Sequence, residues 1–116
     1  MPAYQPLRGD RAFSAVFRTG RRREGHFLTV RALHTGSPAT RLGFNISKRY
    51  GHAVDRNTVR RRLRHIVVDL DPEPGWDLVL AANSRTGSAS YSDLKAEAES
   101  LLRAIGVPLI GIDSAQ

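Results

Sequence analysis

Residues 55–75 constrain this chain most tightly. Val59, Leu63, Ile66, Val67 and Leu70 recur at i, i+4, i+7, i+8 and i+11, which is one face of an α-helix, and Asp55 is placed to cap its start. Asp71-Pro-Glu-Pro-Gly75 then stops the helix with two prolines and a glycine. Beside the apolar face, Arg56, Arg60, Arg64, Asn57 and Arg61 fill a continuous arc of about 140°. Asp55 is the one acid nearby, and like charges four residues apart cost helix stability. Such a helix needs a core on one side and a polyanion on the other.

The flanking sequence supplies elements for that core. Asp10 is placed to cap a helix running to about Thr19, with Gly20 as its stop, and residues 21–25 read as a charged loop. Residues 26–34 and 41–47 read as strands joined by the turn cluster Thr35-Gly-Ser-Pro-Ala39, which predicts an antiparallel hairpin. Residues 77–83 read as a short, mostly buried strand. Ser90-Tyr-Ser-Asp93 resembles a capping box opening a last helix with Leu94, Ala98, Leu101, Leu102 and Ile105 inward, ended by Gly106 and Pro108. The order αββαβα predicts an α+β sandwich, a sheet covered by helices, as one domain over residues 1–116 with 107–116 as an accessory tail.

Composition removes several function classes. With no cysteine there is no disulfide, zinc ribbon or thiol nucleophile. The longest apolar run, Leu78 to Ala82, is five residues, too short for a membrane span, and the basic N-terminus lacks the apolar stretch of a secretory signal, so a cytoplasmic protein without membrane partners is expected. Residues 1–64 carry 15 Lys+Arg against three acids, whereas residues 65–116 carry three against eight, giving +7 overall. Arg dominates these cations, and its fork suits phosphate and stacks on bases. Nucleic acid is the expected partner.

The four histidines share no metal-ligand spacing, and Asp69, Asp71 and Glu73 read as acids solvating a turn. Trp76 reads as an anchor at the core's edge. No nucleophile–base spacing or phosphate loop is present, so no catalytic residue, no protein-held metal and no small-molecule substrate are expected.

The run Gly43-Phe-Asn-Ile-Ser-Lys-Arg-Tyr-Gly-His-Ala-Val-Asp-Arg-Asn-Thr-Val-Arg-Arg-Arg-Leu-Arg64 resembles the signature of the bacterial ribonuclease P protein subunit. Phe13-Ser-Ala-Val-Phe17 with the following Arg18-Thr-Gly20 is similar to that family's first helix, and the likeness covers roughly residues 7–105. Departures fall at Thr58, where the family often has Arg, at Asn83-Ser84-Arg85, and at Val30, where many relatives have Tyr.

The resemblance implies a left-handed βαβ crossover, which runs against the usual handedness rule. It also implies a protein that assists a catalytic RNA subunit, which uses Mg²⁺ to remove the 5′ leader of precursor tRNA. Arg56, Asn57, Arg60, Arg61 and Arg64 would dock on the catalytic RNA. Phe13, Phe17, Ser47, Lys48 and Arg49 would hold the single-stranded leader in a cleft between the first helix and the sheet. Core packing competes with that role at the two aromatics, more at Phe17 than at Phe13. The alternative is a ribosomal or other structural RNA-binding protein. A self-sufficient nuclease lacks convergent acids, and a major-groove DNA binder lacks a second helix beside the Arg-rich one.

Overall fold

Leu78, Val79 and Leu80 are all fully buried, so β5 (Trp76–Ala82) has protein on both faces. The computed structural model describes residues 4–47 and 52–113. Around β5 lie β1 (Tyr4–Pro6), α1 (Asp10–Thr19), β2 (Arg21–Glu24), β3 (Leu28–His34), β4 (Thr40–Asn45), α2 (Ala53–Leu70), α3 (Tyr91–Ile105) and a last turn of helix, α4 (Ile110–Asp113). The sheet order is β1-β4-β5-β3-β2, with β5 antiparallel to β3 and parallel to β4. The α+β sandwich is therefore present.

The expected hairpin is not. β5 lies between β3 and β4, because a strand apolar on both faces gains most from a central position and α2 carries the chain back to enter it parallel to β4. Residues 21–24, expected as loop, form the edge strand β2 against β3. Its three exposed arginines discourage further pairing on that edge. β1, also not anticipated, pairs parallel with β4 from Thr40 to Leu42. Gly9, not Asp10, stands at the N-cap of α1. His52 caps α2, with Asp55 one turn inside accepting the His52 N–H at 3.2 Å.

Alternation divides the sheet. Leu28, Val30, Leu42, Leu78 and Leu80 face α2 and α3 and form the main core with Leu63, Ile66, Leu94 and Leu102. Val79 faces the other way and meets Val16 of α1 and Leu7. Expected as an accessory tail, the segment after Gly106 contributes buried Val107 and Leu109 to the main core.

The acids of the second half are engaged internally. Asp77 is 2% exposed and receives the Arg41 guanidinium on both oxygens, at 2.8 and 2.6 Å. Asp71, Asp69 and Glu73, expected to solvate a turn, instead accept from Tyr4, Tyr91 and the Trp76 indole. Trp76 is half-buried at the edge of the core. Glu97 of α3 accepts from three successive amides, those of His26, Phe27 and Leu28, at 2.8, 2.8 and 2.7 Å. Gly25 permits that approach, since a Cβ there would lie 2.5 Å from the Glu97 carboxyl carbon.

Arg41→Ala leaves the Asp77 carboxylate buried without its fork and should destabilise the protein by about 3 kcal/mol in denaturant melts, at the low end for a buried pair because Arg41 is itself partly solvated. A second expectation concerns alkaline pH. The hydrogen bond to Asp69 pushes Tyr91 up to about 12, and burial, then Asp71, raises Tyr4 further, from ordinary values of 10.0. The unfolded chain releases these protons first, so stability is full below about pH 10 and falls as pH rises toward the folded values. Tyr4→Phe with Tyr91→Phe should flatten that part of the melting-temperature profile.

Candidate nucleic-acid interface

The strand register places Arg22, Arg31, Val79 and Gly43 in one row across the sheet, on the face that α1 covers. Helix α1 lies over this row. Val16 packs on Val79, and the Phe13 ring sits on Gly43, where a Cβ would lie 2.6 Å from the ring's Cζ. Any side chain at position 43 would displace Phe13, so glycine is required there by contact. Phe17 is 41% exposed, with the Arg31 guanidinium 4.2 Å above its ring. The adjoining row, Glu24, Thr29, Ala81 and Asn45, bears small or polar side chains and leaves a shelf beside the two phenylalanines.

The order of the two aromatics is the reverse of the sequence expectation. Phe13 is the half-buried one, packed against Leu7, Val16 and Val79, and Phe17 is the exposed one. Val30, at the position where many relatives have Tyr, is fully buried in the main core, while its neighbour Arg31 occupies the α1 face. Burial lowers the Arg31 pKa, and the charge of Arg22 adds to the effect.

On α2, Asn57, Arg60, Arg61 and Arg64 line a cavity of about 400 Å³ with Pro6, Leu7, Phe13, Leu42, Gly43 and Phe44. It opens where β1 ends, since β4 has β1 beside it as far as Leu42. Arg60 donates to the Asn57 side-chain oxygen at 2.7 Å, which leaves the Asn57 NH₂ as a donor. The cavity thus combines an apolar floor with a rim of hydrogen-bond donors, a combination suited to a base and its phosphates. Arg56 and Ser47 do not line it. Lys48 and Arg49 lie outside the described residues.

Two further sequence departures have a place in the fold. Asn83 Nδ2 and Arg85 Nε donate to the His26 carbonyl at 3.0 and 2.7 Å, tying the end of β5 to the β2–β3 turn. Thr58 and Ser84 line a shallow hollow with Asp55 and Arg62. Among the described residues, no three His, Cys, Asp or Glu side chains gather as a metal site, and no helix is long and apolar enough to cross a membrane.

The residues that sequence reading missed here are Arg22, Arg31 and Gly43. Strict alternation along 28–34 opposes Arg31 to the apolar Leu28, Val30 and Ala32, which is the signal that finds it. Gly43 is legible only from the Phe13 ring.

A family model described as Ribonuclease P matches residues 1–106. A ribonuclease P protein component of Acidothermus cellulolyticus is 38% identical over 106 residues, covering 88% of each chain. One from Roseiflexus castenholzii is 36% identical over 104 residues, covering 87% of this chain and 85% of that protein. Among solved structures, the RNase P protein from Thermotoga maritima superposes with a TM-score of 0.73 at 21% identity, over 85% of this chain and 96% of that one. A Staphylococcus aureus RNase P protein mutant gives 0.77 at 19% identity, over 88% of each.

Phe13→Ala should destabilise the protein by about 2 kcal/mol, below the range for a fully buried ring, and Phe17→Ala by less than about 1 kcal/mol. Urea titration of the two variants checks this order.

Proposed function

The chain belongs to the ribonuclease P protein family, and from that premise we propose how its surfaces share an RNA substrate. As a member it is the protein part of a ribonucleoprotein endoribonuclease of tRNA 5′ processing, working with an RNA subunit that carries the catalysis. The ribosomal alternative finds no support.

In this proposal the donor-rich face of α2, with Arg56, Asn57, Arg60, Arg61 and Arg64, binds the catalytic RNA. The shelf beside α1, with Phe13 and Phe17, carries the single-stranded leader of precursor tRNA, and Ser47, Lys48 and Arg49 are assigned to the same ligand. The observation that carries this reading is the shared cavity, which brings Phe13 beside Asn57, Arg60, Arg61 and Arg64 at the free end of β4. Two RNA surfaces that meet there can hold catalyst and substrate on either side of one cleavage site. Mg²⁺ would belong to the RNA, whose phosphate oxygens would supply ligands for it, and the chemistry it would contribute there is activation of water. The protein's own part is positioning: guanidinium groups fix phosphates, and aromatic rings accept bases without sequence preference.

Reconstitution tests this directly. Protein freed of RNA should leave precursor tRNA intact at every Mg²⁺ concentration, and adding it to the catalytic RNA should raise cleavage. Cleavage by protein alone would overturn the reading. Replacing Arg56, Arg60 and Arg64 by Ala should flatten the salt dependence of catalytic-RNA binding, by roughly 0.7–0.9 in log–log slope for every phosphate no longer neutralised. Phe17→Ala should weaken precursor tRNA about five- to a hundredfold and leave mature tRNA unchanged.

A further inference from the structure

We propose that the chain carries a pocket for one purine nucleotide at the far end of the sheet from the leader shelf, with the base against Trp76 and its phosphate on Arg21. The pocket stands apart from the surfaces assigned above to leader and catalytic RNA. A cavity of about 330 Å³ opens where β3 outruns β2, between His34, Trp76 and the C-terminus of α3. His34 lies five residues along β3 from Thr29 of the shelf, about 17 Å, and by alternation its side chain is on the opposite face of the sheet.

Three contacts fix the aromatic wall. The Trp76 indole packs against the main core, donates its N–H to Glu73 at 3.2 Å, and meets the His34 ring edge-on with centroids 4.8 Å apart. A ring held in this way offers a stacking surface with little rotamer freedom left to lose on binding. Arg21 stands at the rim. Its strand partner Ala32 faces the main core, so Arg21 projects toward α3 and donates one N–H to the Ile105 carbonyl at 3.3 Å. Among the described residues no carboxylate pairs with Arg21, which leaves its other donors for a phosphate.

The Ile105 carbonyl belongs to the last turn of α3, where a helix presents acceptors and partial negative charge. Arg21 takes one of its two lone pairs, and an amino group on a base fits the other. Aromatic wall, guanidinium and carbonyl thus match the ring, phosphate and exocyclic amino group of a nucleotide. Adenine and guanine offer that amino group on the larger ring, and uracil lacks it. The volume is near the lower limit for ligand cavities, which suits one nucleotide and not a run of them.

Trp76 is the only tryptophan in the chain, so its fluorescence reports on this pocket. Adenosine 5′-monophosphate should quench it in the full-length protein. Uridine 5′-monophosphate, adenosine and inorganic phosphate should each need at least about tenfold more. Arg21 is exposed, so folding does not hinge on it. Arg21→Gln should lose about tenfold for adenosine monophosphate and nothing for adenosine, a split that a loosened end of α3 would not give. Reconstituted holoenzyme assigns the source of the nucleotide. A free nucleotide quenches Trp76 there as in the protein alone, whereas a nucleotide borne by the RNA quenches it on assembly and leaves adenosine monophosphate without further effect.

Trp76 emission unmoved by adenosine monophosphate would overturn the pocket, as would equal quenching by the uridine nucleotide. An Arg21→Gln variant that binds as wild type does, or that loses nucleotide and nucleoside alike, would overturn it too. So would a holoenzyme in which neither assembly nor added nucleotide changes the emission.

Discussion

The burial of β5 on both faces fixes where everything else must go. Leu78 and Leu80 require the α2–α3 layer, and Val79 requires α1 on the opposite side. Because β5 enters parallel to β4, α2 has to cross from the end of one strand to the start of the next. That crossing sets the Arg-bearing face of α2 beside the β4 edge, within one cavity of Phe13. The placement of the candidate interface follows from how a strand without a polar face can be covered.

Elements with strong periodicity were legible in the sequence. The buried stripes of α2 and α3 are the ones their spacing predicts, and Ser90 accepts the Asp93 N–H as the capping pattern suggests. Strand neighbours were not legible. Nothing in residues 28–34 and 40–45 separately says that a third strand will part them, because pairing depends on which apolar faces compete for the centre. β2 was hidden for a related reason: Arg21-Arg22-Arg23 has no strand periodicity, and it pairs because β3 offers an open edge. The Arg face of α2 could be read from spacing, whereas Arg31 needed the parity of β3 and Gly43 needed the Phe13 ring.

The charge asymmetry of the chain acquires a physical meaning in the fold. The acids that might have neutralised the basic surface are committed elsewhere. Asp77 holds Arg41, Asp71 and Asp69 receive tyrosine hydroxyls, Glu73 receives an indole, and Glu97 receives amides. None of these five acids forms an ion pair with Arg31, Arg60, Arg61 or Arg64. Local inconsistency of this kind, in a chain otherwise consistent from turn to core, marks surfaces shaped for a partner.

The Glu97 contact has a bearing on where RNA can go. Three successive amides pointing at one spot make an anion cradle of the sort that elsewhere grips phosphate. Here a carboxylate from α3 is already seated in it, an internal ligand tethered through the chain. A passing phosphate would have to evict that carboxylate to gain the same three donors. The amides of the β2–β3 turn are thereby closed to an outside anion although the turn adjoins the basic strand β2. On the proposed leader path a strand would be left with side chains, whose grip is adjustable, in place of a backbone pocket that would arrest it.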